Sequence, residues 1–260
     1  MRKVLSIFVL GAISLVLASC GNNPRAFLRI VHAAPGAPGT TPTTPSIDVT
    51  IDGNKVLSNV AYSTGSNYFT VAPGARHFQM NITGNTAFFI DTMINLTNNT
   101  YNTMTLVGQF GTPPPPLPPN PIPPTIVTST DDHGTPAAGQ VKIRLMQALV
   151  GYPAPLPPAT PGPVDVYVTT FGTLLQGNPP TLPNVSFQST TSYVTMAVGD
   201  LEVRVVPAGC TGVACNPDNN ILIDSGKVTF TDKKQLRTYV LSDQAPPSAQ
   251  FQGFFLSDLN

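Results

Sequence analysis

Three cysteines, three histidines and one adjacent pair of acids are the residues whose types and spacing could do chemistry. Cys20 ends the run Leu17-Ala18-Ser19-Cys20, after Arg2, Lys3 and the largely apolar stretch Val4 to Val16. A short positive region, an apolar run and small residues before the thiol read as an export signal. The run is too short for a spanning helix, which needs about 20 apolar residues. Cys210 and Cys215 have four residues between them, and two thiols in an oxidising compartment are expected to pair as a disulfide. Asp131 and Asp132 are expected to form an acid-rich turn closing the domain; the alternative is that they are metal ligands, because two carboxylates with loop carbonyls and water can hold Ca²⁺. His32, His77 and His133 have no second His or Glu at metal-ligand spacing. His32 is expected at a strand end as a hydrogen-bonded turn residue, and His77 on a solvated strand face. His32, Asp48 and Asp165 are the candidates for ligand binding. The two acids are also expected to receive backbone hydrogen bonds across an adjacent loop.

Catalysis finds little support. A nucleophile needs a base within reach and a group to orient it. No Gly-x-Ser-x-Gly elbow is present, Glu202 is the sole glutamate, and no Gly-rich phosphate loop precedes a helix. The expectation is a protein that is not an enzyme and needs no cofactor. A hydrolase stays open because convergent triads leave little sequence trace. The 13 basic and 13 acidic residues balance, which excludes a polyanion binder relying on Lys and Arg. Charged residues are 10% of the chain, against roughly 25% in an ordinary soluble domain. Thr-, Val- and Phe-rich sequence punctuated by 29 prolines and 21 glycines reads as all-β. Absent Trp weakens a sugar-stacking role; Tyr152, Phe251, Phe254 and Phe255 are the aromatics to watch.

Those residues must be positioned by strands, and the strand pattern occurs twice. Phe27-Leu28-Arg29-Ile30-Val31-His32-Ala33 parallels Lys142-Ile143-Arg144-Leu145-Met146-Gln147-Ala148. Ile47-Asp48-Val49 parallels Val164-Asp165-Val166, Ser66-Asn67-Tyr68 parallels Thr191-Ser192-Tyr193, and Ile90-Asp91 parallels Ile223-Asp224. Constant order with drifting offset is what duplication and loop insertion give. Phe78, Met80 and Ile82 alternate with His77, Gln79 and Asn81, as half-buried strands do. Seven or eight such strands per copy imply two tandem antiparallel β-sandwich domains of immunoglobulin- or transthyretin-like type. The expected organisation is a signal peptide over 1–19, a lipid-anchored tether over 20–25, a first repeat over 26–133, a linker over 134–139 and a second repeat over 140–260. The polyproline run 113–124 is read as a hairpin loop inside the first repeat, because a strand follows it.

The Leu-Ala-Ser-Cys box resembles a bacterial lipobox, which implies that Cys20 becomes an acylated N-terminus. Stable anchoring then follows from two or more acyl chains, each CH₂ contributing about 0.8 kcal/mol. Gly21 after the cysteine, rather than Asp, favours the outer membrane over the inner. The ordered motifs Arg-x-Val-His-Ala, Val-Asp-Val and Ser-x-Tyr, with Asp131-Asp132 through Pro136-Ala137-Ala138-Gly139 between copies, resemble the bacterial domain-of-unknown-function family 4397. That resemblance implies tandem domains on exported proteins and carries no established activity. The turn Ala34-Pro35-Gly36-Ala37-Pro38 lacks the family's acid, and Gln147 replaces the second His. The expected function is a non-enzymatic cell-envelope module, structural or adhesive, with membrane contact through lipid and an envelope protein or glycan as partner, and no nucleic acid. The alternative is a periplasmic binder of a small ligand or Ca²⁺.

Overall fold

The computed structural model describes residues 24–36, 44–111, 122–151, 161–210, 215–231, 235–244 and 250–259. Cys20, Tyr152 and residues 112–121 lie outside them. In the first half the strands are β1 (Ala26–His32), β2 (Ile47–Ile51), β3 (Asn54–Val60), β4 (Thr64–Gly65), β5 (Phe69–Val71), β6 (Gly74–Ile82), β7 (Phe88–Leu96), β8 (Tyr101–Val107) and β9 (Thr125–Asp131). In the second half they are β10 (Gln140–Gln147), β11 (Val164–Thr170), β12 (Leu182–Val185), β13 (Val194–Ala197), β14 (Gly199–Pro207), β15 (Ile223–Asp224), β16 (Val228–Phe230), β17 (Leu236–Asp243) and β18 (Phe251–Ser257). A single 3-10 turn, Pro217–Asn219, is the helical element among the described residues. Each half exceeds the expected strand count because pieces as short as β4 and β15 hold too few residues to show a period.

Each half is a two-layer sandwich with one pairing scheme. The outer sheets run β3-β2-β6-β7 and β12-β11-β14-β15, with β16 also on β14. The inner sheets run β4-β1-β8-β9 and β13-β10-β17-β18, with β5 also on β1. Pairing is antiparallel except that β1 lies parallel to β8 and β10 parallel to β17. The chain leaves β1, builds the outer sheet and returns to β8 in the same direction, a crossover that alternation of residues does not reveal. β8 and β9 pair antiparallel with Val107 opposite Thr125, so the proline-rich segment joins neighbouring strands of one sheet. At its near end Gly108 has φ +98°, and any side chain there would strike the Pro123 carbonyl.

Alternation places the cores. Leu28, Ile30, Val49, Phe78, Met80 and Leu106 fill the first sandwich. Ile143, Leu145, Val166, Val203, Val205 and Tyr239 fill the second. A third apolar cluster of Val31, Ala33, Val107, Met146, Ala148, Val240 and Leu256 lies between the two inner sheets. It explains why β1 and β10 are apolar on both faces: one face closes a core and the other joins the halves. The second sandwich adds a cover over its outer sheet, where Tyr167, Leu175, Val206 and Cys210 form a small cluster. Cys210 is bonded to Cys215 there, with Cα atoms 5.0 Å apart. A loop this short is worth about 2 kcal/mol by chain entropy, so the bond mainly pins the cover.

Candidate functional site

Inside the contact between the halves sits a polar network built twice. Arg29 donates through Nη2 to Asp258 at 2.7 Å and through Nη1 to the Ser257 carbonyl at 2.9 Å. Arg144 donates through Nη2 to Asp131 and through Nη1 to the Thr130 carbonyl. Each arginine therefore reaches the end of the last strand of the opposite sandwich. Thr103 and Thr238 each accept from the arginine of their own half and donate to the aspartate of their own half. Tyr68 and Tyr193 donate to the same two carboxylates and lie under Arg29 and Arg144, with each guanidinium carbon 4.7 Å from the ring centre. The arginine side chains are 2% exposed and both aspartates fully covered. Burial opposes the charge on Arg144, but the Asp131 carboxylate beside it raises its pKa. Burial pushes the Tyr68 and Tyr193 hydroxyls well above the usual phenol range, so both stay protonated as donors. Pairing and hydrogen bonding of this completeness are what a buried ion pair needs to offset its desolvation.

Asp131 is thus engaged by Arg144, Tyr68 and Thr103. Asp132 faces the other way, accepting from Lys142 at 2.6 Å and from the Gly134 amide at 2.7 Å. Asp131 closes β9 and Asp132 lies just past its end with partners of its own, so these two carboxylates do not converge. Among the described residues no group of three or more His, Cys, Asp or Glu side chains is arranged to hold a metal ion. His133 stacks on Tyr101 with ring centres 3.6 Å apart. Burial lowers its pKa, against the pull of the nearby acids.

His32 is fully buried at the end of β1. Its Nε2 donates to the Pro45 carbonyl at 2.7 Å, and its Nδ1 accepts from the Ala34 amide at 3.4 Å. Desolvation lowers its pKa to about 4. Gln147 does half of this work in the second half: its Oε1 accepts from the Leu149 amide at 2.9 Å, while its buried Nε2 has no partner. His32 is therefore a neutral brace for a turn, and an amide at the equivalent place keeps the bond on the amide side of that turn. Because the folded pKa lies below the unfolded value of 6.5, stability is complete above pH 6.5 and is lost as pH falls toward 4. In His32→Gln, urea unfolding at pH 7.5, above that window, and at pH 4.5, near its lower end, should show a pH penalty smaller than wild type's by about 2–3 kcal/mol.

Asp48 and Asp165 occupy equivalent places and serve equivalent loops. Asp48 accepts from the Asn59 amide, Lys55 and Thr83, which together outweigh burial and hold its carboxyl below the usual range. Asp165 accepts from the amides of Asn184 and Gly209. Asn59 and Asn184 both have positive φ, a conformation the carboxylate bond supports. His77 lies on the open face of β6, bonded to Asp91 at 2.6 Å. Phe254 packs into the cluster between the halves, and Phe251 and Phe255 against the second core. Open grooves of about 340 Å³ and about 310 Å³ lie at corresponding edges of the two sandwiches. The first is lined by Phe89, Ile90, Asp91, Thr92, Thr125 and Ile126. No helix among the described residues is long and apolar enough to cross a membrane.

Sequence reasoning singled out Asp131 but missed its network. The signal was present: an arginine stands inside an apolar strand at the same motif position in both copies, as do Tyr68 and Tyr193.

The fold and this network define a protein of two β-sandwiches joined through their inner sheets. Residues 26–154 match the family model described as "Domain of unknown function (DUF4397)", a span just under half of the chain. Over that span the match supports the family resemblance read from the motifs. No curated protein matches the chain. Among solved structures, a leucine-rich repeat protein from Bacteroides thetaiotaomicron VPI-5482 is similar at 11% identity and a TM-score of 0.18. The alignment covers 83% of this chain but 26% of that one, and it carries no argument about fold or function.

Proposed function

We propose that this chain is a non-enzymatic module of the cell envelope, held to a membrane by lipid on Cys20, in which two copies of the family 4397 domain act as one stiff unit. The second copy is the diverged half over residues 140–260. The observation that supports this reading is the use of the buried charges. Arg29, Asp131, Arg144 and Asp258 lock the halves together, and Asp48 and Asp165 brace loops, so their polar groups are committed to rigidity. The disulfide accords with an oxidising compartment. A stiff body with proline-rich loops suits a structural or adhesive role toward an envelope protein or glycan.

The test is protease shaving of intact cells, with mass spectrometry of released peptides and of the N-terminal peptide. A diacylated Cys20 peptide, with loop peptides released from whole cells, supports a surface-displayed lipoprotein. Release only after the outer membrane is opened places the module in the periplasm. An unmodified Cys20 in a chain recovered from the cytosol sinks the reading.

A further inference from the structure

β7 is the last strand of its sheet, and among the described residues nothing pairs with its outer edge. It is nine residues long and reads Phe-Phe-Ile-Asp-Thr-Met-Ile-Asn-Leu, with no Pro, Gly, Lys or Arg. Phe88 is 44% exposed and Met93 61%. Proteins ordinarily blunt such edges with charge, proline, bulges or short strands. The other edges of the outer sheets are blunted in these ways. β3 shifts register twice and carries Lys55. β12 holds Pro183 and a register shift. The strand corresponding to β7 in the second sandwich is broken into β15 and β16 by Ser225-Gly226-Lys227, with Gly226 at φ +60°. β7 has one irregularity, at the Phe88–Phe89 end.

We propose that the free edge of β7 is a self-association surface, on which the β7 of a second copy of this chain adds antiparallel about a two-fold axis through Thr92. The occupant follows from the residues. In that register Ile90 faces Ile94 of the second copy on the core side, Thr92 faces Thr92, and Asp91 faces Met93. Apolar meets apolar, Thr–Thr is a favourable cross-strand pair, and no like charges are directly opposed. Asp91 already accepts hydrogen bonds from His77 and Gln79 within its own sheet, so pairing does not leave its carboxylate without partners. The groove lined by Ile90, Thr92 and Ile126 opens beside this edge and receives the incoming core-side residues. Edge hydrogen bonds supply affinity and the groove supplies register, the division of labour of strand addition. An interface of one strand falls below the roughly 800 Å² per partner of a standard stable interface, so the dimer is a weak one.

The experiment uses the full chain in a Cys20→Ser background. Sedimentation is followed from about 10 µM to about 500 µM, the range a small interface calls for. The expected result is an average mass that rises with concentration for the parent and stays flat for Thr92→Lys, which sets like charges opposite each other at the axis. Thr92→Cys should form a covalent dimer under mild oxidation, whereas Met93→Cys, more exposed but off the axis, should not. Equal cross-linking of the two cysteine variants would overturn the register. A parent chain that stays monomeric throughout would overturn self-association and leave the edge to a strand of another protein. Both cysteine sites are exposed, so misfolding does not obscure the outcome.

Discussion

Replacing Arg144 with methionine should destabilise the chain by about 3–5 kcal/mol in equilibrium urea unfolding at pH 7, among the largest effects of any single change. The reason is what stays behind. Asp131 remains fully covered, with hydroxyls from Tyr68, Thr103 and, at 3.5 Å, Ser129 but without its close cation. Arg29 stands 3.9 Å away and is already committed to Asp258 at 2.7 Å. Arg144→Lys should recover little, because one ammonium cannot reach Asp131, Thr238 and the Thr130 carbonyl with a planar fork's geometry. Adding Asp131→Leu to Arg144→Met should recover most of the loss, since an apolar pair of similar volume needs no desolvation. If the double variant is as unstable as the single one, the cost lies in packing or in the Tyr68 and Thr103 hydroxyls left without their acceptor, rather than in an uncompensated charge.

The second large effect concerns Gly253 in β18. The Tyr239 ring lies where a side chain on residue 253 would go. Tyr239 is 2% exposed within the second core and lines the open groove of about 310 Å³ beside Gly253, so its ring must shift toward that groove to make room. Gly253→Ala should therefore cost about 3 kcal/mol through overpacking. Pairing shows how to repair it. Tyr239 stands beside Leu145 and Gly253 beside Leu241; in the first sandwich the corresponding residues are Met104 beside Ile30 and Ile126 beside Leu106. One half uses large and small where the other uses two middling side chains. The double variant Tyr239→Met with Gly253→Ala should return to within about 1.5 kcal/mol of wild type, as volume-conserving exchanges do. Thermal unfolding of the three chains decides it.

The duplication, the strands and their buried faces were legible in the sequence because each rests on a local signal. Phe78 and Met80 alternate with polar neighbours, and both are fully buried. Asp48 and Asp165 hold loop amides, as their matching positions suggested. The contact between the halves was not legible, because it joins residues such as Arg29 and Asp258 that are 229 positions apart. Periodicity says which face of a strand is dry and does not say what dries it. The apolar residues on both faces of β1 and β10 were the clue, and they read equally as one thick core. Asp131 reads in the sequence as part of an acid-rich turn, with calcium binding as the alternative, because its neighbour in the chain is an acid. Its neighbours in space are an arginine, a tyrosine and a threonine.

The doubled network also has an order in time. Arg144 lies 13 residues after Asp131, so that ion pair can form as soon as β10 has been made. Arg29 waits for Asp258, the described residue just past β18. Chains fold from the N-terminal end as they emerge, and partly folded species with exposed apolar surface are prone to aggregate. The first sandwich therefore spends synthesis with one half of its joining face unsatisfied, and the newborn chain is most exposed to aggregation until β18 arrives.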